Sequence, residues 1–104
     1  MEHLEYEFKD AGGSTQAVQP FSLLGVVASG NLEVLMECTP QNGKCRFVID
    51  TAASGFAATW QAVIADFIER QHPANLLVSI NDHAASPAVV SLRLDQAYEM
   101  LTGN

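Results

Sequence analysis

The chain has 104 residues, 48% of them hydrophobic, which is enough for one core and too apolar for a disordered segment. Twelve acidic against five basic side chains give a net charge of -7, which excludes nucleic acid as a natural partner because such binding rests on phosphate neutralisation by Lys and Arg. No apolar run approaches the roughly 20 residues of a membrane helix, and Met1 to Phe8 alternate acid with apolar instead of reading as a signal peptide, so a cytoplasmic protein without membrane insertion is expected.

Leu4, Tyr6 and Phe8 alternate with Glu5, Glu7 and Lys9, which predicts a half-buried strand. Asp10 to Pro20 carries Gly12-Gly13-Ser14-Thr15-Gln16, closes on Pro20 and reads as a loop with freedom to move. Two strands then span Ser22 to Cys38, joined at Gly30-Asn31 as a two-residue hairpin loop in which both residues accept positive φ. In that register Ser29 pairs with Leu32. Its neighbours Ala28 and Gly30 are small, so its hydroxyl is accessible to another molecule.

Thr39 to Lys44 is a turn, with Pro40 ending the strand before it and Asn42-Gly43 as a second two-residue hairpin loop. That register pairs Gln41 with Lys44 and Cys38 with Phe47, not with Cys45. The two cysteines are therefore expected as free thiols. Arg46 to Thr51 is the next strand.

Phe56, Trp60, Val63, Ile64, Phe67 and Ile68 form one apolar stripe at helical spacing, opposite Thr59, Gln61, Asp66, Glu69 and Arg70. Ser54-Gly55 is placed to start this helix, and Pro73 bars its continuation. Trp60 reads as a core anchor, with stacking on a ligand as the sharper alternative. Leu76 to Ile80 is a short apolar strand, joined to Arg46–Thr51 through the helix as a βαβ unit with parallel strands. Ser86-Pro87 signals a second helix, with serine as cap and proline at the first helical position. Val90, Leu94, Ala97 and Leu101 share one face of it, and Gly103 can close it. The sum is a single α+β domain over residues 1–104. It is a two-layer sandwich: a mixed, mostly antiparallel sheet of about five strands, with two helices on one face.

Catalytic chemistry finds little support. His3, His72 and His83 do not pair at metal-ligand spacing, and no histidine adjoins a cysteine, so no metal site is expected. No glycine-rich phosphate loop is present. Asn81-Asp82-His83 with Ser86 is a polar cluster, but one tight loop rarely aims three groups as a triad. Turn and helix-start hydrogen bonds explain it more simply.

The segment Val27-Ala28-Ser29-Gly30-Asn31-Leu32-Glu33-Val34-Leu35 resembles the attachment segment of the acyl carrier, or delta, subunit of malonate decarboxylase. Further similar residues follow in order: Ser54-Gly55-Phe56, Thr59-Trp60-Gln61, Ile80-Asn81-Asp82, Ser86-Pro87-Ala88-Val89-Val90 and Leu92-Arg93-Leu94, with Met1 to Glu5 at the start. The likeness covers nearly the whole chain. The citrate lyase acyl carrier subunit is a more distant relative. The four-helix fatty-acid carriers are not similar, since their Asp-Ser-Leu is absent.

The resemblance implies a non-catalytic carrier. Ser29 would hold a covalent 2'-(5''-phosphoribosyl)-3'-dephospho-CoA arm through a phosphodiester, and the arm's thiol would carry acetyl and malonyl groups as thioesters. Implied partners are an acetyl-CoA/malonate acyl-carrier transferase subunit, the decarboxylase subunits and the enzyme that loads the arm. A citrate lyase-type carrier and an unloaded structural subunit are the alternatives. Two departures stand out: Asn31 replaces an expected Asp, and His83-Ala84-Ala85-Ser86-Pro87 stands where Phe-Gly-Ala-Thr-Pro is expected.

Overall fold

The computed structural model describes residues 1–9, 13–24 and 32–103. The elements run β1 (Glu2–Phe8), β2 (Phe21–Leu24), β3 (Leu32–Cys38), β4 (Cys45–Thr51), α1 (Ala57–Gln71), β5 (Leu76–Asp82) and α2 (Pro87–Thr102). One five-stranded sheet has the order β1-β4-β5-β3-β2. Three of its pairings are antiparallel, and β4 with β5 is parallel, as the βαβ reading requires. This is the expected α+β sandwich.

Alternation decides which face is covered. Leu32, Val34 and Met36, Phe47 and Ile49, and Leu76, Val78 and Ile80 are all buried and share one face. The apolar stripes of α1 (Trp60, Ile64, Phe67) and α2 (Val90, Leu94, Ala97, Leu101) close on it. Each fully buried Val, Leu, Ile, Phe or Met among them contributes about 1.5–3 kcal/mol by leaving water. An edge-to-face aromatic series binds the layers, with centroid separations of 5.9 Å for Phe8–Phe47, 6.3 Å for Phe47–Phe67 and 5.6 Å for Phe67–Tyr98. α2 lies over β2 and β3, where the buried Ser22 hydroxyl donates to the Ala97 carbonyl at 2.8 Å. Arg70 of α1 ties the helices together through Asp95 of α2.

Both hairpin readings need correction. The Asn42-Gly43 turn forms, with both residues at positive φ and the Lys44 amide donating to the Gln41 carbonyl at 3.0 Å. Its strands do not pair, however, because β5 lies between them. The reason is Asn75. Its side-chain oxygen accepts from the Gln41 and Gly43 amides at 3.0 and 2.9 Å, while its backbone bridges Thr39 and Lys44. The turn's amides are thus satisfied by the entry to β5, and β3 and β4 each pair with β5. The other reading, a two-residue loop at Gly30-Asn31, would pair Leu24 with Glu37. The described strands pair Leu24 with Val34 instead, a three-residue difference that reverses the faces of β2. The loop residues themselves lie outside the described ones.

Cys38 and Cys45 are not joined in a disulfide, as expected. Both pair with Leu76, one from each side. Their Cα atoms are thus about 10 Å apart, two strand spacings, and beyond disulfide reach. The described part of the 10–20 loop is strapped down. Ser14 donates to the His72 carbonyl at 2.9 Å and Val18 to Leu101 at 2.8 Å, while Thr15 accepts from Ala74 at 2.9 Å. Gly13 fits so closely there that a Cβ would meet the His72 carbonyl oxygen at 2.3 Å.

The second sheet face is covered by none of the described elements. On it His3 bonds Asp50 at 2.7 Å and Glu5 at 2.9 Å, and Arg46 donates to Glu5. These bonds, Asp50 first and Glu5 second, raise the His3 pKa, and the bond from His3, followed by that from Arg46, lowers that of Glu5.

Two predictions follow from this geometry. Asn75→Ala leaves two amides without their acceptor and puts a Cβ residue without side-chain support at φ 59. It should cost about 2–4 kcal/mol in denaturant unfolding; a loss below about 0.5 kcal/mol would contradict the stitching role. The His3 imidazole should titrate by NMR above the usual ~6.5. Its stabilising contribution is then complete below about pH 6.5 and is lost as pH rises through the raised value. A midpoint at or below ~6.5 would count against the cluster.

Candidate functional site

The edge of the sheet where β4 and β5 end collects the elements that can serve a ligand. Thr51 and Asp82, the last residues of these strands, pair with each other, and Leu32, the first of β3, pairs with Asp82. Both helices begin at this edge. Ligands in α/β structures commonly bind at the carboxyl ends of parallel strands for this reason.

Asp82 is buried, at 4% exposure. One of its oxygens accepts from the buried Thr51 hydroxyl at 2.7 Å and the other from the Ala85 amide at 2.8 Å. Both partners are neutral, so the carboxylate is held without a cation. The Thr51 oxygen also accepts from the Ala53 amide at 3.1 Å. One carboxylate therefore fixes the turns that lead into both helices.

This disposes of the polar cluster as a triad. Asp82 faces Thr51 and Ala85, His83 is exposed, and the Ser86 oxygen caps α2 by accepting from the Val89 amide at 3.3 Å. Asn81 reaches Glu33 of β3 at 3.2 Å. The helix-start reading is the one the geometry bears out. At α1 the expectation shifts: the helix begins at Ala57 with Phe56 as its N-cap, and no side chain caps it. Ser54 does not serve, and Phe56 stands half exposed before the helix instead of in its buried stripe.

Between the two helix starts is a cleft of about 330 Å³. Phe56, Thr59, Trp60 and Val63 form one wall, Ala84, Ala85 and Pro87 the other, and Ala53 and Asp82 complete it. Trp60 is 6% exposed. It is the core anchor expected, and it also lines this cleft. Sequence reasoning missed the cleft. The signal available was the pair of small-residue runs before the helices, Ala52-Ala53-Ser54-Gly55 and Ala84-Ala85-Ser86, which leave space where larger side chains would fill it.

Ser29, the residue singled out in the sequence, lies outside the described residues, as does Asn31. The structure therefore gives only their anchor points, Leu24 and Leu32. The His83-Ala84 departure does fall within the described chain. Ala84 has φ 78, in the left-handed region that favours glycine. Alanine here carries strain that the glycine expected at this place would not.

With the geometry in hand, comparison with known proteins is direct. The family model of the malonate decarboxylase delta subunit (MdcD) matches residues 21–101. The chain belongs to this family. Among curated relatives, the malonate decarboxylase acyl carrier protein of Xanthomonas euvesicatoria pv. vesicatoria (strain 85-10) is 52% identical over 103 residues, covering 99% of this chain and 97% of that one. That of Stenotrophomonas maltophilia (strain R551-3) is 51% identical over 105 residues, covering 99% and 96%. A solved chain from the crystal structure of a Pseudomonas malonate decarboxylase hetero-tetramer in complex with malonate superposes with TM-score 0.79 at 38% identity, covering 95% of this chain and 97% of that one. Among the described residues no helix is long and apolar enough to cross a membrane, and no cluster of His, Cys, Asp and Glu could hold a metal ion.

Ala84→Gly should stabilise the fold by about 1 kcal/mol through relief of the left-handed strain, less the entropy that glycine loses on folding. Thermal unfolding of the two variants measures it; destabilisation would mean that the Ala84 methyl packs more than φ 78 costs.

Proposed function

We propose that this chain is the acyl carrier subunit of a malonate decarboxylase and that Ser29 is its attachment residue. The observation that carries the reading is the near full-length likeness to relatives named malonate decarboxylase acyl carrier proteins, together with the resemblance of Val27 to Leu35 to an attachment segment. The proposed group is 2'-(5''-phosphoribosyl)-3'-dephospho-CoA, joined to the Ser29 oxygen by a phosphodiester. When bound, it supplies a thiol that holds the acyl group as a thioester, whose carbonyl delocalises the charge left when malonate loses carbon dioxide.

The described residues suit such a group. The first turns of α1 and α2 contain no acidic residue, and Asp82, which holds these helix starts, is buried with both oxygens hydrogen-bonded. The cleft beside them is mostly apolar. The chain's contribution is tethering: Ser29 keeps the acyl group at high effective concentration near each partner. Asp82 holds the helix starts and takes no part as acid or base, since both its oxygens are engaged.

The partners in this reading are a transferase subunit that exchanges acetyl for malonate, the decarboxylase subunits, and a loading enzyme. The hetero-tetrameric assembly named for the Pseudomonas relative supports the idea of a multisubunit complex. The cytoplasm is the proposed compartment.

Co-expression with the loading enzyme followed by intact-mass measurement tests the proposal. The chain should gain the mass of the arm, and Ser29→Ala should not. A gain that survives Ser29→Ala, or no gain at all, would sink it. Malonate, and not citrate, should be turned over by the reconstituted complex.

A further inference from the structure

The cleft between the helix starts has features that the carrier role alone does not require. It is lined by Phe56, Trp60, Val63 and three alanines, and its lining residues include the buried Asp82 but no Lys or Arg. Its volume, about 330 Å³, is at the small end of ligand cavities. A ligand for it should be short, largely apolar and uncharged. An anion there would have the acidic Asp82 beside it and no cationic lining residue to offset it.

Chain length alone limits how far Ser29 can be from this cleft. Three residue-to-residue steps join position 29 to Leu32, and three steps span at most about 11 Å. Leu32 pairs with Asp82, and paired Cα atoms are about 5 Å apart. Chain length and strand pairing together thus limit the span from position 29 to the Asp82 backbone to about 16 Å. A nucleotide, a pyrophosphate and a pantetheine chain in series are longer than that.

We propose that this cleft receives the acyl-thioester end of the arm on Ser29, and that Asp82 makes it selective for the neutral acetyl end over the anionic malonyl end. The inference rests on the carrier reading above. Acetyl and malonyl ends differ by one carboxylate, and the cleft offers that carboxylate only a like charge. The like charge of Asp82 is expected to favour acetyl by at least about tenfold, or about 1.4 kcal/mol. The acetyl form is thereby sheltered from water between cycles. The malonyl form is left outside, available to the decarboxylase subunits.

Trp60 reports on this directly, because it is the chain's one tryptophan and lines the cleft. The experiment uses the loaded wild-type chain in three states, with the arm thiol free, acetylated or malonylated, each state verified by intact mass. Tryptophan emission, acrylamide quenching and thioester hydrolysis are then measured. In the acetyl form Trp60 quenching should fall at least about twofold, and hydrolysis should be at least about tenfold slower than for free acetyl-CoA, which requires the sheltered state to be favoured about tenfold over the exposed one. The malonyl form should resemble the unacylated one. Asp82→Asn should narrow the difference between the two acyl forms, and Val63→Phe, which fills the cleft, should remove the acetyl effect from a chain that still loads. Equal Trp60 signals from chains that mass shows to be acetylated and unacylated would overturn the inference while leaving the carrier reading intact. Equal protection of acetyl and malonyl forms would overturn its selectivity. Absence of any added mass would instead overturn the carrier reading on which it depends.

Discussion

The parallel pairing of β4 with β5 is the constraint on which the rest of the structure depends. Parallel neighbours cannot be joined by a tight turn, so the chain must cross over, and α1 is that crossover. The crossover covers one sheet face and brings both strands to finish at the same edge. It also makes α1 and α2 start there, side by side. The cleft, the buried Asp82 and the proximity of Leu32 to both are consequences of this one choice of strand direction.

A second constraint is charge. An acidic chain with a net charge of -7 nonetheless buries a carboxylate beneath two helix starts. It does so with neutral donors, the Thr51 hydroxyl and the Ala85 amide, so the site keeps a negative potential that an ion pair would have cancelled. Charged groups without a partner in the interior are costly unless fully hydrogen-bonded. Here the bonds also organise the turns into α1 and α2, which explains why an aspartate can be kept in so apolar a setting.

Most of the element order was legible in the sequence because the periods are clean. The alternation of Leu4, Tyr6 and Phe8, the stripe from Trp60 to Ile68, and the Ser86-Pro87 start all appear where expected. What failed was partner choice. Asn42-Gly43 makes the turn its residues dictate, but a turn fixes only its own backbone. The acceptor that decided the pairing is Asn75, more than thirty residues away in sequence. The register at Leu24 failed likewise, because the distance from turn to strand is not encoded by the two loop residues alone. The cleft was illegible for a further reason: alanines signal space only once their neighbours are known. Ser29 was legible by resemblance, not by physics, since an accessible serine in a turn is ordinary.

The positions of the two thiols have a consequence for a protein read as handling thioesters. Cys38 ends β3 and Cys45 begins β4, both at the edge away from Leu32, Thr51 and Asp82. β4 has seven residues, so this is about 20 Å from the edge that leads to Ser29. Cys45 is also buried. Thiolates are the nucleophiles that capture acyl groups by exchange. Strand polarity thus puts both thiols about one strand length from the cleft between the helix starts, so an acyl group held in that cleft is out of contact with either of them.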